Sequence, residues 1–340
     1  MDQSGYKRFN DSLIMNVTSQ DGHLFKGVLY FPKLNGTQMM KEVAGVIGDD
    51  GKTIKAIEYP GGFSDGMILS PYEMELIFRD QATPSTICID SLKRTTAAPG
   101  AAAPALPAMP NLLGHWNGTS IGLMDQSGYQ VVRSPMNMEI TGQDGRLFTG
   151  WVAYEMKGTQ VTKDFAAIFD RDGKTFRTIE NPDGFSNGIV ISANEIQLVF
   201  RDNDDPSRIA IDTFVRPGTT PAPAGAVPMN LIGAWPGTSN GYMNTGSGYG
   251  PIKDVLTLNI TAQEDRLFKG QVSYVVNGTS VTKEVAGVID RDEKTFETVE
   301  FPEGFSDGMV VSYAWIQLVF REDGTPSSIA VDTFRRVEKV

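Results

Sequence analysis

The chain is poor in the residues from which most chemical sites are built. Cys88 is the only cysteine in 340 residues, so no intrachain disulfide can form. Its setting, "STICIDSL", reads as a strand in which a small buried side chain sits, not a reactive thiol. The two histidines, His23 and His115, lie far apart without partners at ligand spacing, which argues against zinc. No apolar run approaches the roughly 20 residues of a membrane-spanning helix. No stretch of ten residues carries a helical period. Basic residues are in deficit, 30 against 41 acidic ones, for a net charge of −11. That balance opposes nonspecific binding to nucleic acid or to an anionic membrane surface. The N-terminus lacks the basic-then-apolar pattern of an export signal.

What the chain does have is repetition. "DGHLFKGVLY" at 21–30 returns as "DGRLFTGWVAY" at 144–154 and "EDRLFKGQVSY" at 264–274. "KEVAGVIGDDGKT", "KDFAAIFDRDGKT" and "KEVAGVIDRDEKT" follow in the same order, then "GGFSDGMILS", "DGFSNGIVIS" and "EGFSDGMVVS". "PSTICIDSLKR", "PSRIAIDTFVR" and "PSSIAVDTFRR" close the three copies. A period of about 120 residues over such lengths marks duplication of a whole unit. The units fall at 1–94, 111–216 and 230–340. Between them lie Ala/Pro-rich stretches, 95–110 and 217–229, whose composition favours extended, semi-rigid linkers. The expected picture is beads on a stiffened string, each bead folding alone.

Within a unit the period is two. In "VLTLNIT" (255–261), Leu256, Leu258 and Ile260 alternate with polar residues, as Met136, Met138 and Ile140 do in the second copy. Val272, Tyr274 and Val276 continue the apolar face in the next strand, and "NG" at 277–278 signals a hairpin. Eight such strands with short connections, and no helix, predict an all-β chain. It consists of three tandem antiparallel up-and-down β-barrel modules, each eight-stranded, with the first lacking strand one. A two-sheet sandwich is the alternative closure.

"NLLGHW" (111–116) and "NLIGAW" (230–235) resemble the opening strand of the calycin barrels, in which a Gly-x-Trp begins the barrel. The strands that follow are similar in layout to the avidin–streptavidin group. The resemblance implies that Trp116 packs under Arg216 and Trp235 under Arg336, closing one barrel end by a cation–π stack. The later strands lack the paired tryptophans of the avidin ligand site, so biotin binding is not implied.

Two loop types invite a chemical reading. The Asp-rich turns at 48–53, 170–175 and 290–295 hint at calcium, but they are too short for an EF-hand loop and read as solvated hairpin turns. "GFSDG", "GFSNG" and "GFSDG" place Phe63, Ser64 and Asp65, Phe185, Ser186 and Asn187, and Phe305, Ser306 and Asp307 in a loop at a barrel end. That loop is expected to be a lid or a ligand-binding mouth. The third copy has no histidine, so no Ser–His–Asp or Cys–His arrangement can recur in every unit, and the chain is expected not to be an enzyme. No cofactor is indicated. Six Asn-x-Ser/Thr sequons, at Asn10, Asn16, Asn35, Asn117, Asn259 and Asn277, are compatible with secretion.

These features suggest an extracellular or cell-surface structural protein of a prokaryote, assembling with itself through exposed strand edges. The alternative is a multivalent small-ligand binder. Bulky apolar inward residues favour the first. "MDQSGY" at 1–6 recurs at 124–129, where it follows strand one of the second copy. The first copy therefore has no strand one, and Arg94 has no Trp to cover. Either the chain starts at an internal methionine or the open seam accepts a strand from another molecule.

Overall fold

The computed structural model describes residues 6–32, 38–82, 85–95, 104–156, 158–202, 204, 206–223, 228–244, 246–276 and 279–337. Every regular element in them is a strand. Module 1 has β1 (Ile14–Asp21), β2 (Leu24–Pro32), β3 (Gln38–Ile47), β4 (Thr53–Tyr59), β5 (Phe63–Ser70), β6 (Glu73–Asp80) and β7 (Thr86–Lys93). Module 2 has β8 (Gly114–Asp125), β9 (Tyr129–Asp144), β10 (Leu147–Met156), β11 (Thr159–Phe169), β12 (Thr175–Asn181), β13 (Phe185–Ser192), β14 (Glu195–Asp202) and β15 (Arg208–Val215). Module 3 repeats these as β16 (Gly233–Asn244), β17 (Tyr249–Glu264), β18 (Leu267–Val276), β19 (Thr279–Ile289), β20 (Thr295–Phe301), β21 (Phe305–Ser312), β22 (Trp315–Glu322) and β23 (Ser327–Arg335).

Modules 2 and 3 are closed eight-stranded antiparallel barrels, and module 1 is a curled seven-stranded sheet in the order β1 to β7. Closure occurs where β8 pairs with β15 and β16 with β23, which leaves β1 and β7 as the free edges of module 1. Barrel closure, not a sandwich, is thus the solution that removes strand edges. The "NG" pair at 277–278 lies outside the described residues, as do Asn35, Asn277 and the side chain of Val276, but Val276 pairs with Thr279 across it.

The alternation read from the sequence sorts the core as expected. Trp116, Met138, Ile140, Phe148, Phe165, Phe176 and Phe214 meet inside module 2. Trp235, Leu256, Leu258, Ile260, Phe268 and Phe296 do the same in module 3. One bulge recurs in all three modules, in the strand opposite Gly27, Gly150 and Gly270. A Cβ at Gly150 would lie 2.0 Å from the Glu139 carbonyl oxygen, so only glycine allows the strands to bend together there.

The modules are not separate beads. They pack head-to-tail in a closed ring, module 1 on 2, 2 on 3 and 3 on 1. Leu123, Tyr129, Ile209 and Ile211 of module 2 pack on Leu267, Ala286, Val288 and Val299 of module 3. Tyr242, Tyr249 and Ile329 of module 3 pack on Leu24, Ala44, Val46 and Ile57 of module 1. β7 lies against β11 and β12 at the remaining junction. The linkers are fastened to this body: Arg171 donates to the Pro104 carbonyl at 2.5 Å, and Arg291 to the Pro223 carbonyl at 2.9 Å. Heterologous contacts that close by rotation form a ring of fixed size. Here the ring is made within one chain.

Candidate functional site

The nine residues of the "GFSDG" and "GFSNG" segments are not a mouth loop. The structure places them at the starts of β5, β13 and β21, on the pseudo-threefold axis where the modules meet. Phe63, Phe185 and Phe305 form a triangle of fully buried rings with centroids 4.8–4.9 Å apart. Ser64, Ser186 and Ser306 are equally buried behind them. The preceding loops bring glycine to positive φ at Gly62, Gly184 and Gly304, where the chain turns tightly past Phe78, Phe200 and Phe320.

Three buried arginines clamp this triangle. Arg79, on β6, donates to the Ser186 carbonyl and to Asn187 Oδ1 at 3.1 Å in the next module. Arg201, on β14, likewise reaches the Ser306 carbonyl and Asp307 Oδ1 at 2.9 Å. Arg321, on β22, reaches the Ser64 carbonyl and Asp65 Oδ1 at 3.1 Å, closing the cycle. Each guanidinium also lies 4.7–5.2 Å from the centroids of two of the three phenylalanine rings. Arg79 additionally pairs with Asp65 of its own module, and Arg321 with Asp307.

The charges there are not threefold. Asn187 replaces a carboxylate in module 2, and the matching positions on the neighbouring strands carry Lys55, Arg177 and Glu297. Lys55 reaches Asp307 at 2.5 Å, and Arg201 Nε lies 2.9 Å from Glu297. Burial penalises the Asp65 carboxylate, but Arg321, Lys55 and Arg79 outweigh it and hold its pKa well below the usual range. Asp307 is held down in the same way, by Lys55, Arg201 and Arg321. Buried charges of this kind are tolerated only when fully paired. The axis is an ionic and aromatic joint.

The Trp–Arg pairs lie at the far ends of the barrels. The Arg216 guanidinium stands 3.9 Å from the Trp116 ring centroid, and that of Arg336 stands 5.2 Å from Trp235. Both tryptophans are completely buried, and each indole N–H donates to a carbonyl four residues earlier, of Leu112 at 2.9 Å and Leu231 at 2.8 Å. Each arginine in turn donates to a carbonyl of the opening segment, of Leu113 at 2.7 Å and Ile232 at 2.9 Å. The arginines therefore tie the strand-one lead-in to the last strand as well as covering the ring.

A second polar constellation lies inside each module. Lys41 lies 3.4 Å from Glu58 and donates to the Gly61 carbonyl at 2.8 Å. Lys163 lies 3.9 Å from Glu180 and donates to the Asp183 carbonyl at 2.5 Å. Lys283 donates to the Glu303 carbonyl at 2.9 Å, near Glu300 and Glu322. Burial pushes Glu58 and Glu180 up to about 7 and Glu300 to about 8, only partly offset by the lysine. Burial also lifts Asp90 and Asp212 to about 6 and Asp332 to about 7. The lysines tie strand to loop, and in module 2 the space beside Glu180 is a void of about 10 Å³.

The Asp-rich turns are closed on themselves. Asp50 accepts from the Lys52 and Thr53 amides, and Asp172 and Asp292 repeat this, all at 2.8–2.9 Å. No cluster of three potential metal ligands exists among the described residues. Cys88 is half-buried, with its thiol 3.5 Å from Asp90.

Sequence reasoning missed the axial arginines and the Lys–Glu pairs. The signal was present: "LIFRD", "LVFRD" and "LVFRE" each put an arginine inside an apolar strand at the same place in every copy.

No family model and no curated protein matches the chain. Among solved structures, it is similar to a protein of unknown function from the DUF3598 family of Nostoc punctiforme, at 15% identity and a TM-score of 0.29. The match covers 66% of this chain and 96% of that one. It is also similar to the isotype 1 transferrin binding protein B of serogroup B Neisseria meningitidis, at 11% identity and a TM-score of 0.26. There the match covers 93% of this chain and 64% of that one. No helix among the described residues is long and apolar enough to cross a membrane, which says nothing of crossing by strands.

Proposed function

We propose that this chain is a non-enzymatic structural protein of the extracellular space or cell surface, meeting other polypeptides through the free strand edges of module 1. The observation that carries this reading is the filling of the barrels. Trp116, Phe148, Phe165 and Phe176 fill the interior of module 2, where the remaining void is about 10 Å³, and the wider cleft of about 740 Å³ lies outside that barrel, between Ile89 of β7 and the linker at Leu106, Pro107 and Met109. Small-molecule sites are typically about 300–1,000 Å³. The lysines inside, Lys41, Lys163 and Lys283, are engaged in tying strands to loops, which supports a non-catalytic role. The described sequon asparagines, Asn10, Asn16, Asn117 and Asn259, are all exposed and so reachable for glycan attachment, in keeping with a secreted protein.

A multivalent small-ligand binder is the second reading, favoured by the threefold recurrence of the buried Lys–Glu–Asp ends. A thermal-shift screen of small polar and apolar solutes, run beside sedimentation velocity over a range of concentrations, separates the two. The structural reading predicts concentration-dependent association and no solute that raises Tm. A saturable stabilisation with a stoichiometry of two or three, on a chain that stays monomeric, reverses the ranking.

A further inference from the structure

The two closed barrels show what fills the place that is open in module 1. β8 and β16 both present Trp-x-Gly-x-Ser-x-Gly to the barrel interior, as Trp116, Gly118, Ser120 and Gly122 and as Trp235, Gly237, Ser239 and Gly241. Each position answers a residue of the last strand. Gly118 stands opposite Phe214, and a Cβ there would come within 2.4 Å of its ring. Ser120 stands opposite Asp212 and its hydroxyl favours the buried carboxylate's charged form, as Ser239 does for Asp332. Gly122 stands opposite Ala210, where a Cβ would meet the Ile209 carbonyl at 2.3 Å.

Module 1 keeps the other half of this match. Repeat alignment places Cys88, Asp90, Leu92 and Arg94 where Ala210, Asp212, Phe214 and Arg216 stand, and Leu13 and Met15 where Met136 and Met138 stand. The whole inward face of β7 and both β1-side residues are only partly buried, whereas Phe214 and Met138 are 0% and 2% exposed. The chain leading to β1 is nevertheless held in place: the Tyr6 hydroxyl meets Ser85 at 3.0 Å, as Tyr129 meets Ser207 and Tyr249 meets Ser327. Arg94 has its backbone bond to Tyr72 at 2.9 Å, matching Arg216 to Asn194 and Arg336 to Ala314. One side of the slot is therefore built, in register, as it is in the closed barrels.

We infer that the seam between β1 and β7 is a strand-acceptor site for an extended segment carrying Trp-x-Gly-x-Ser-x-Gly. The segment adds antiparallel to β7, sets its Trp beside Met15 and beneath Arg94, its first Gly over Leu92, its Ser on Asp90 and its second Gly over Cys88. Main-chain pairing supplies affinity and the alternate side chains supply specificity. The inference rests on the reading of module 1 as the chain's contact surface and names what that surface takes.

The test uses the full chain and a synthetic peptide copying Gly114–Asp125. Native mass spectrometry is expected to show a 1:1 complex, and alkylation of Cys88, the only cysteine, is expected to slow by about tenfold or more, a protection of about 1.4 kcal/mol. Peptides carrying Gly118→Val or Ser120→Leu are expected to lose both effects, as is the native peptide against the Asp90→Leu chain. Absence of complex and of Cys88 protection at about 1 mM peptide overturns the inference. If the chain then self-associates, and a Lys93→Pro change on the β7 edge abolishes it, the edge is still the contact surface. If the chain is also strictly monomeric, both readings fall.

Discussion

Modules 1 and 2 share their sequence pattern almost throughout, yet one is an open sheet and the other a closed barrel, and the difference traces to a single strand. β9 runs for 16 residues and is paired on one side by β8 and on the other by β10. β1, its counterpart, runs for only 8 residues, and among the described residues no strand pairs with the stretch from Tyr6 to Leu13. The last strand changes in step: Ile209 to Asp212 are buried in β15, and Ile87 to Asp90 are only half-buried in β7. Strand one also feeds the junctions, through Leu123 and Ile121 towards module 3 and Tyr242 towards module 1. The junction between modules 1 and 2 lacks that contribution and relies on ion pairs, Glu75 with Arg146 at 2.7 Å and with Arg171 at 3.0 Å. A β-barrel module thus loses closure, core and part of its docking face together when one strand is withheld.

The axis, by contrast, joins all three modules, so breaking it is expected to have the widest effect. Arg201→Ala leaves Glu297 buried without its ion-pair partner and takes one of three cations from Asp307, which keeps Lys55 and Arg321, a loss that costs about 3–5 kcal/mol. Calorimetry is expected to show one lowered transition for the whole ring. A loss confined to one of several separate transitions would mean that the modules do not fold as a unit. Trp235→Ala comes next, at about 3–5 kcal/mol for the removed core side chain, but confined to module 3. It is expected to make β23 exchange its amide hydrogens as freely as β7, and undiminished protection there would remove the Trp from the closure argument.

Stability against pH separates the barrel-interior carboxyls from Asp65 and Asp307 on the axis, whereas Glu297 on the axis is pushed up by burial to about 7 like the interior groups. Glu58, Glu180 and Glu300 ordinarily titrate near 4.5 and in the folded chain near 7 to 8, so the native state holds their protons more tightly. Their contribution is complete below about pH 4.5 and fades as pH rises through 7 to 8. Asp65 and Asp307 behave in the opposite sense: their lowered values give stability that is present above about pH 4 and is lost in acid. The Tm is therefore expected to peak in mildly acidic solution and fall towards pH 8. The triple Glu→Gln variant at 58, 180 and 300 should make the alkaline limb shallower and leave the acid limb unchanged, the raised Glu297, Glu322 and Asp332 keeping the remainder of the alkaline fall. A wild-type Tm that rises steadily to pH 8 would contradict the burial of these carboxyls. Arg336→Ala is the mildest change, about 0.5–1 kcal/mol for a partly exposed cation–π contact. It is expected to shift Trp fluorescence, and unaltered emission and Tm would show that the arginine is dispensable for closure.

The barrels were legible because their rule is local. Alternation in "VLTLNIT" sorts Leu256, Leu258 and Ile260 inward whatever surrounds the module. The Gly-x-Trp openings likewise marked Trp116 and Trp235, whose place depends on their own barrel. The axis was not legible, because its rule is not local. Phe63, Phe185 and Phe305 sit between glycines in a segment that reads as a loop, and nothing in one copy reveals that three such phenylalanines meet. The repeated arginine in each "FRD" or "FRE" was the available sign, since a charge within an apolar strand must find a partner. The Ala/Pro linkers misled for a related reason: extended composition says nothing about whether a linker lies along a surface, as Pro104 and Pro223 do.

Hydrogen–deuterium exchange on the intact chain tests the central contrast most directly, by comparing the equivalent last strands β7, β15 and β23. Strong and equal protection in β15 and β23, with β7 exchanging at least about tenfold faster and becoming protected when the Gly114–Asp125 peptide is added, is the result predicted here. Equal protection of all three strands in the free chain would contradict it.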